Sequence, residues 1–136
     1  MKIWYGYGSE HSMNLVMIGK FQEAKDAINA QKIINEITKQ VDTEVEAKLM
    51  KIGESSNRYS DDMLQLLSKL RIHSIGPAEL EQFAYDVKTN IDGSKVVITT
   101  DEVDVSAFLK ILLDCGARVE VYSAHEYPDT EYGRGT

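Results

Sequence analysis

The chain has one cysteine and two prolines among 136 residues. A lone Cys115 excludes an intramolecular disulfide. It closes the apolar run Leu112-Leu113-Asp114-Cys115-Gly116 with no histidine beside it, and it reads as a small buried hydrophobe rather than a nucleophile. The scarcity of proline and the lack of low-complexity segments argue against disorder, except in the polar stretch 126–136, which reads as an exposed tail. No apolar run approaches the length of a membrane span. Met1–Gly8 lacks the basic-then-apolar order of a signal peptide, so a soluble, cytoplasmic protein is expected. A P-loop, G-x-G-x-x-G, G-x-S-x-G, H-E-x-x-H and Cys/His metal knuckles are all missing. Basic residues are also in deficit: 15 Lys and Arg against 22 Asp and Glu leave a net charge of −7. Duplex-binding proteins carry a basic footprint, so direct nucleic-acid binding is not expected. The acidity suits solubility or a basic partner, including a nucleic-acid enzyme that an acidic inhibitor would block.

What remains is 43% hydrophobic and 27% charged, ordinary for a globular protein. The length suits one domain over 1–136. Lys2–Gly8 is aromatic and alternating, and reads as a strand. After the polar turn Ser9–Ser12, the apolar run Asn14–Gly19 reads as a second, buried strand. Residues 22–41 form a helix: Ala27, Ala30, Ile34, Ile37 and Val41 recur at steps of three and four, and Ile28 and Ile33 widen the stripe. Thr43–Ile52 also fits helical spacing. Gly53–Asn57 is a loop. Ser60 caps a helix with Met63, Leu64, Leu67 and Leu70 on its apolar face. Gly76-Pro77 starts another short helix. His73, in the bend between the two, reads as structural.

The period then changes. Asp92-Gly93 between Val87–Ile91 and Lys95–Thr99 signals a hairpin. Asp104 caps a helix carrying Val105, Phe108, Leu109, Leu112 and Leu113 on one face, and Gly116 ends it. Arg118–Tyr122 is a last strand. The expected fold is α+β: one sheet with helices on one face, in a ferredoxin-like arrangement with a C-terminal βαβ unit and a helical insertion.

Three polar clusters are candidates for chemistry. Ser9-Glu10-His11-Ser12 lies beside Tyr5 and Tyr7. A carboxylate and an imidazole in one turn suit metal binding or proton transfer, while the same residues satisfy a plain hydrogen-bonded turn. Asp101-Glu102-Val103-Asp104 follows a predicted strand, an edge that ligand sites favour in α/β sheets; helix capping is the simpler account. His125-Glu126-Tyr127-Pro128-Asp129 follows the last strand and otherwise reads as a polar tail. If the βαβ strands run parallel, Asp101 and Glu102 share a sheet edge with His125 and Glu126. Asp101, Glu102 and His125 would then suit a divalent metal such as Mn or Zn.

The opening Lys2–Ser12, running into Asn14–Gly19, resembles the start of a family of small uncharacterised bacterial and phage proteins. The similarity covers most of the chain and implies no activity, cofactor or site residue. The leading expectation is a non-enzymatic module that binds a protein partner or small ligand and needs no cofactor. Its edge would comprise Tyr7, Ser9, Glu10, His11, Ser12, His125, Glu126 and Tyr127, since aromatics favour interfaces. A metal-dependent hydrolase and an acidic inhibitor are the alternatives. A strand at a sheet edge would also permit a homodimer.

Overall fold

The computed structural model describes residues 15–51, 58–85, 87–100 and 105–123. Strand β1 spans Leu15–Lys20, helix α1 Ala24–Glu46 and helix α2 Asp61–Leu70. A 3-10 helix covers Pro77–Ala84. Strands β2 (Val87–Asp92) and β3 (Lys95–Thr100), helix α3 (Ser106–Asp114) and strand β4 (Arg118–Ser123) complete the order. The four strands form one sheet, β2-β3-β1-β4, in which every neighbouring pair is antiparallel. The fold is α+β, as the sequence predicts. The predicted strand over Lys2–Gly8 and the Ser9–Ser12 turn lie outside the described residues.

The strand before α3 and the strand after it do run parallel to each other. They are not neighbours, because β1 lies between them. The apolar run of β1 is therefore central, and its side chains alternate: Leu15, Met17 and Gly19 are buried, while Val16 and Ile18 are half-buried. Continuous hydrophobicity here reflects a strand paired on both edges. Gly19 also lets α3 approach closely. A Cβ built on Gly19 would stand 3.0 Å from Leu112 Cδ2.

Local signals explain most boundaries. The Ser60 hydroxyl accepts the Met63 N–H at 3.0 Å, capping α2 as expected. The same hydroxyl donates to Glu44 Oε2 at 2.9 Å, which also accepts from Gln40 Nε2 at 2.8 Å. This buried carboxylate ties α1 to the start of α2. The hairpin turn is Gly93-Ser94, one residue beyond the sequence estimate, because Asp92 still pairs with Lys95. Gly93 takes φ +62° at the first turn position, which glycine supplies without strain. Gly116, at φ +95°, ends α3, and Ala117 N–H bonds back to Leu112 O at 3.0 Å.

Several sequence expectations need correction. Leu64, expected on the apolar face of α2, is exposed, and the buried residues there are Met63 and Leu67. Helix α1 runs on to Glu46, so of the helical spacing read over Thr43–Ile52 only the first four residues are helical, and residues 47–51 leave the helix. Ile28 is 56% exposed on its outer side and does not widen the apolar stripe, whereas Ile33 is buried. The buried face of α3 is Ala107, Phe108, Ile111 and Leu112, and Leu113 is exposed. The face is set by what α3 meets. Phe108 packs on Phe83 of the 3-10 helix, with ring centroids 4.8 Å apart, and Leu112 lies over Gly19. The N-cap of α3 is Val105, and Asp104 lies outside the described residues.

Candidate functional site

Register defines one end of the sheet. Leu15, the first residue of β1, is the Cα partner of both Thr100 and Ser123. Thr100 also pairs with Val87 at the start of β2. The described strands therefore stop together at this end, where Asp101 follows Thr100 and Ala124 follows Ser123 in the sequence. Every predicted site residue adjoins it in sequence. Tyr7, Ser9, Glu10, His11 and Ser12 precede β1, Asp101 and Glu102 follow β3, and His125, Glu126 and Tyr127 follow β4. All of them lie outside the described residues. Among the described residues, no group of three or more His, Cys, Asp or Glu could hold a metal ion.

A polar network fastens α3 beside this end. Val105 offers no side-chain cap, so Gln82 of the 3-10 helix does it from outside. Its Oε1 accepts the Ala107 N–H at 2.8 Å, and its Nε2 donates to Ser106 Oγ at 3.0 Å. Ser106 in turn donates to Glu79 Oε2 at 2.6 Å. Glu79 Oε1 accepts from Lys110 Nζ at 2.6 Å and from the Gly76 N–H at 2.9 Å. Burial opposes ionisation of Glu79, but the bonds from Lys110, Ser106 and Gly76 outweigh it and hold the carboxyl below its ordinary range.

The sheet has two unlike faces. Leu15, Met17, Val96, Ile98, Val119 and Val121 are buried toward the helices. By strand alternation the other face carries Val16, Ile18, Val97 and Tyr122, which are half-buried and take no part in the described core. Register places Val16 beside Thr99 and Tyr122, and Ile18 beside Val97 and Glu120. The far end of this face is a mainly cationic row, Asp92, Lys95, Lys20 and Arg118 in register order. Lys88 is paired with Thr99 at the near end. Four cations thus stand against two carboxylates, Asp92 and Glu120, on a chain whose net charge is −7. Lys20 Nζ lies 2.5 Å from Glu120 Oε1. Tyr122 donates its phenol to Glu120, which pushes its pKa up to about 12, so the ring stays neutral.

A family model matches residues 1–134. The chain belongs to DUF6375, a family of unknown function. No curated protein and no solved structure matches it. The resemblance read from the opening residues, to an uncharacterised family, thus holds over nearly the whole of this DUF6375 member. None of its described helices is long and apolar enough to cross a membrane.

Cys115 and His73 lie among the described residues. The Cys115 thiol is pushed up by partial burial and by the nearby carboxylates of Asp114 and Asp26, so it stays protonated near neutral pH. His73 is exposed in the α2 to 3-10 bend, where Arg71, His73, Ser74 and Asp114 line an open depression. Ser74 Oγ donates directly to Asp114 Oδ2 at 2.6 Å, so its hydroxyl proton is engaged by a carboxylate. Sequence reading missed the cationic row entirely. Lys20, Lys95 and Arg118 are far apart in the chain, and each alone reads as an ordinary solvated charge.

Proposed function

We propose that this protein is a non-enzymatic binding module with a ferredoxin-like fold, and that it takes an acidic, aromatic-bearing protein segment on the sheet face turned away from the described helices. The element order and the β2-β3-β1-β4 sheet support the fold reading. The observation that carries the function is the charge contrast: a cationic, apolar-centred face on an acidic chain. Val16, Ile18, Val97 and Tyr122 supply apolar contact, and the row Lys20, Lys95 and Arg118 selects charge. The polar segments adjoining the sheet end, including His11, His125 and Tyr127, would extend the contact.

The test is a titration of 15N-labelled full chain with a short Glu- and Tyr-rich peptide. Amides of Val16, Ile18, Val97 and Tyr122 should shift, and Lys95→Glu with Arg118→Glu should abolish the shifts. Shifts confined to the helical side would sink the reading.

A second reading has its own support. Thr100 and Ser123 share the partner Leu15, which favours Asp101, Glu102 and His125 meeting as ligands for Mn or Zn. Native mass spectrometry of protein prepared without chelator tests it. A stoichiometric metal lost on His125→Ala is expected, and a metal-free mass with Mn and Zn in excess rules it out.

A further inference from the structure

Strand β2 has an open edge with a charge pattern of its own. Among the described residues it pairs with β3 and with no second strand. Its side chains alternate. Val87, Thr89 and Ile91 are half-buried on the helix side, and Lys88, Asn90 and Asp92 are exposed on the other face. The two-residue turn Gly93-Ser94 makes its flanking pair, Asp92 and Lys95, a hydrogen-bonded one. Alternation then turns the backbone N–H and C=O of Lys88, Asn90 and Asp92 toward β3, and those of Val87, Thr89 and Ile91 out of the open edge. We propose that two copies of the chain pair β2 with β2, antiparallel, across a two-fold axis at Asn90. Thr89 then exchanges both backbone bonds with the partner's Ile91, and Lys88 stands opposite the partner's Asp92.

Charge and register together select a second copy. An edge carrying one sign of charge repels its own copy. Strand β2 carries one charge of each sign, spaced evenly about Asn90. Outward-facing backbone groups must meet outward-facing ones, so the axis of a symmetric pair falls on a residue rather than between two. An axis at Thr89 sets Lys88 against the partner's Asn90. An axis at Ile91 sets Asp92 against the partner's Asn90 and Lys88 against its Ser94. The axis at Asn90 brings opposite charges together, and does so twice. These pairs are of the non-hydrogen-bonded kind, whose facing Cα atoms stand only about 4.5 Å apart. Within its own sheet Lys88 faces the uncharged Thr99, while Asp92 faces Lys95 and would serve a lysine on each side. No ion pair among the described residues uses Lys88 or Asp92. The other described edge, β4, differs in that its Glu120 is already held by Lys20 and Tyr122. The axis stands normal to the sheet, so the helices of both copies lie on one side and two four-stranded sheets run on as one. This pairing is independent of what the sheet face binds.

Sedimentation velocity of the full chain over a range of concentrations should show a monomer–dimer equilibrium. Lys88→Asp gives an edge with two carboxylates, and Asp92→Lys an edge with two ammonium groups. Each should raise the dimer dissociation constant by about tenfold or more, since both cross-strand pairs turn from attraction to repulsion. An equimolar mixture of the two variants should dimerise again, because each edge then meets its opposite. Thr89→Pro is a second probe. Its N–H points away from β3, so the hairpin keeps its bonds while the dimer loses two, and this variant should sediment as a monomer. Circular dichroism of each variant verifies its fold. A parent chain that is monomeric at every concentration overturns the proposal. A dimer that survives both charge variants and Thr89→Pro also overturns it and assigns the contact to another surface. Charge variants that stay apart when mixed overturn the Asn90 register.

Discussion

Gln82 Oε1 accepts the backbone N–H of Ala107 at 2.8 Å, so a side chain from one helix caps the N-terminus of another. Helix N-termini leave backbone donors without partners inside the helix, and Val105 does not fill the role. Gln82→Ala should destabilise the protein by about 1–2 kcal/mol, the usual cost of a lost cap with a buried donor left unmet. Gln82→Glu keeps an acceptor and adds a charge that favours the helix N-terminus, so it should recover part of the loss. Urea midpoints of the two variants at neutral pH give the comparison.

Lys110 should matter more at neutral pH than in acid. The Glu79 carboxyl titrates below its ordinary value of 4.5 in the folded chain. A lowered folded value gives stability that is present above the unfolded value and is lost as pH falls through the folded one. Lys110→Met removes the salt bridge, so the variant should be less stable than the parent above pH 4.5, and the gap should narrow below it. Unfolding midpoints taken across that range decide the matter. A gap independent of pH would assign the effect to packing alone.

Gly19 is a contact requirement. Its Cβ would meet two carbons of Leu112, at 3.0 and 3.1 Å. Gly19→Val should cost about 1–3 kcal/mol through overpacking between β1 and α3. Adding Leu112→Ala should relieve the crowding, so the double variant should be more stable than the sum of the single losses. A double-mutant cycle by chemical denaturation measures this coupling.

Lys48 offers the opposite outcome. It is exposed and holds φ +62° where the chain turns after α1. A side chain in this conformation is strained, and glycine is not. Lys48→Gly should raise stability by roughly 0.5 kcal/mol, after the extra freedom it gives the unfolded chain is counted. A thermal melt beside the parent protein is sufficient.

Local chemistry made much of the fold legible. Ser60 announces α2 through its cap, Gly93 the hairpin and Gly116 the end of α3, because each acts on neighbours within a few residues. The 3-10 helix was harder to distinguish. Leu80 and Phe83 are buried three apart, a spacing that both helix types tolerate over so short a run. Strand order was not legible at all. The place of β1 between β3 and β4 depends on contacts spanning most of the chain, and the cationic face exists only once that order is set. The candidate residues His11, Asp101 and His125 were found as clusters in sequence. All three lie outside the described residues; what the structure adds is that Thr100 and Ser123 share the partner Leu15, which no local pattern encodes.

The central position of β1 also sets a timetable. Lys20 pairs with Lys95 and with Arg118, so the first of the described strands has none of its described sheet partners until most of the chain has been synthesised. At translation rates of roughly 5–20 residues per second, the interval before β3 emerges is about 4–15 s. Throughout it, Leu15-Val16-Met17-Ile18 is an apolar strand with two unpaired edges, the kind of segment that aggregates or recruits a chaperone. The helix that meets β1 in the finished fold is α3, whose Leu112 lies against Gly19, so this cover too arrives only when most of the chain has been made. The strand at the middle of the finished sheet is thus among the last of the described elements to be enclosed.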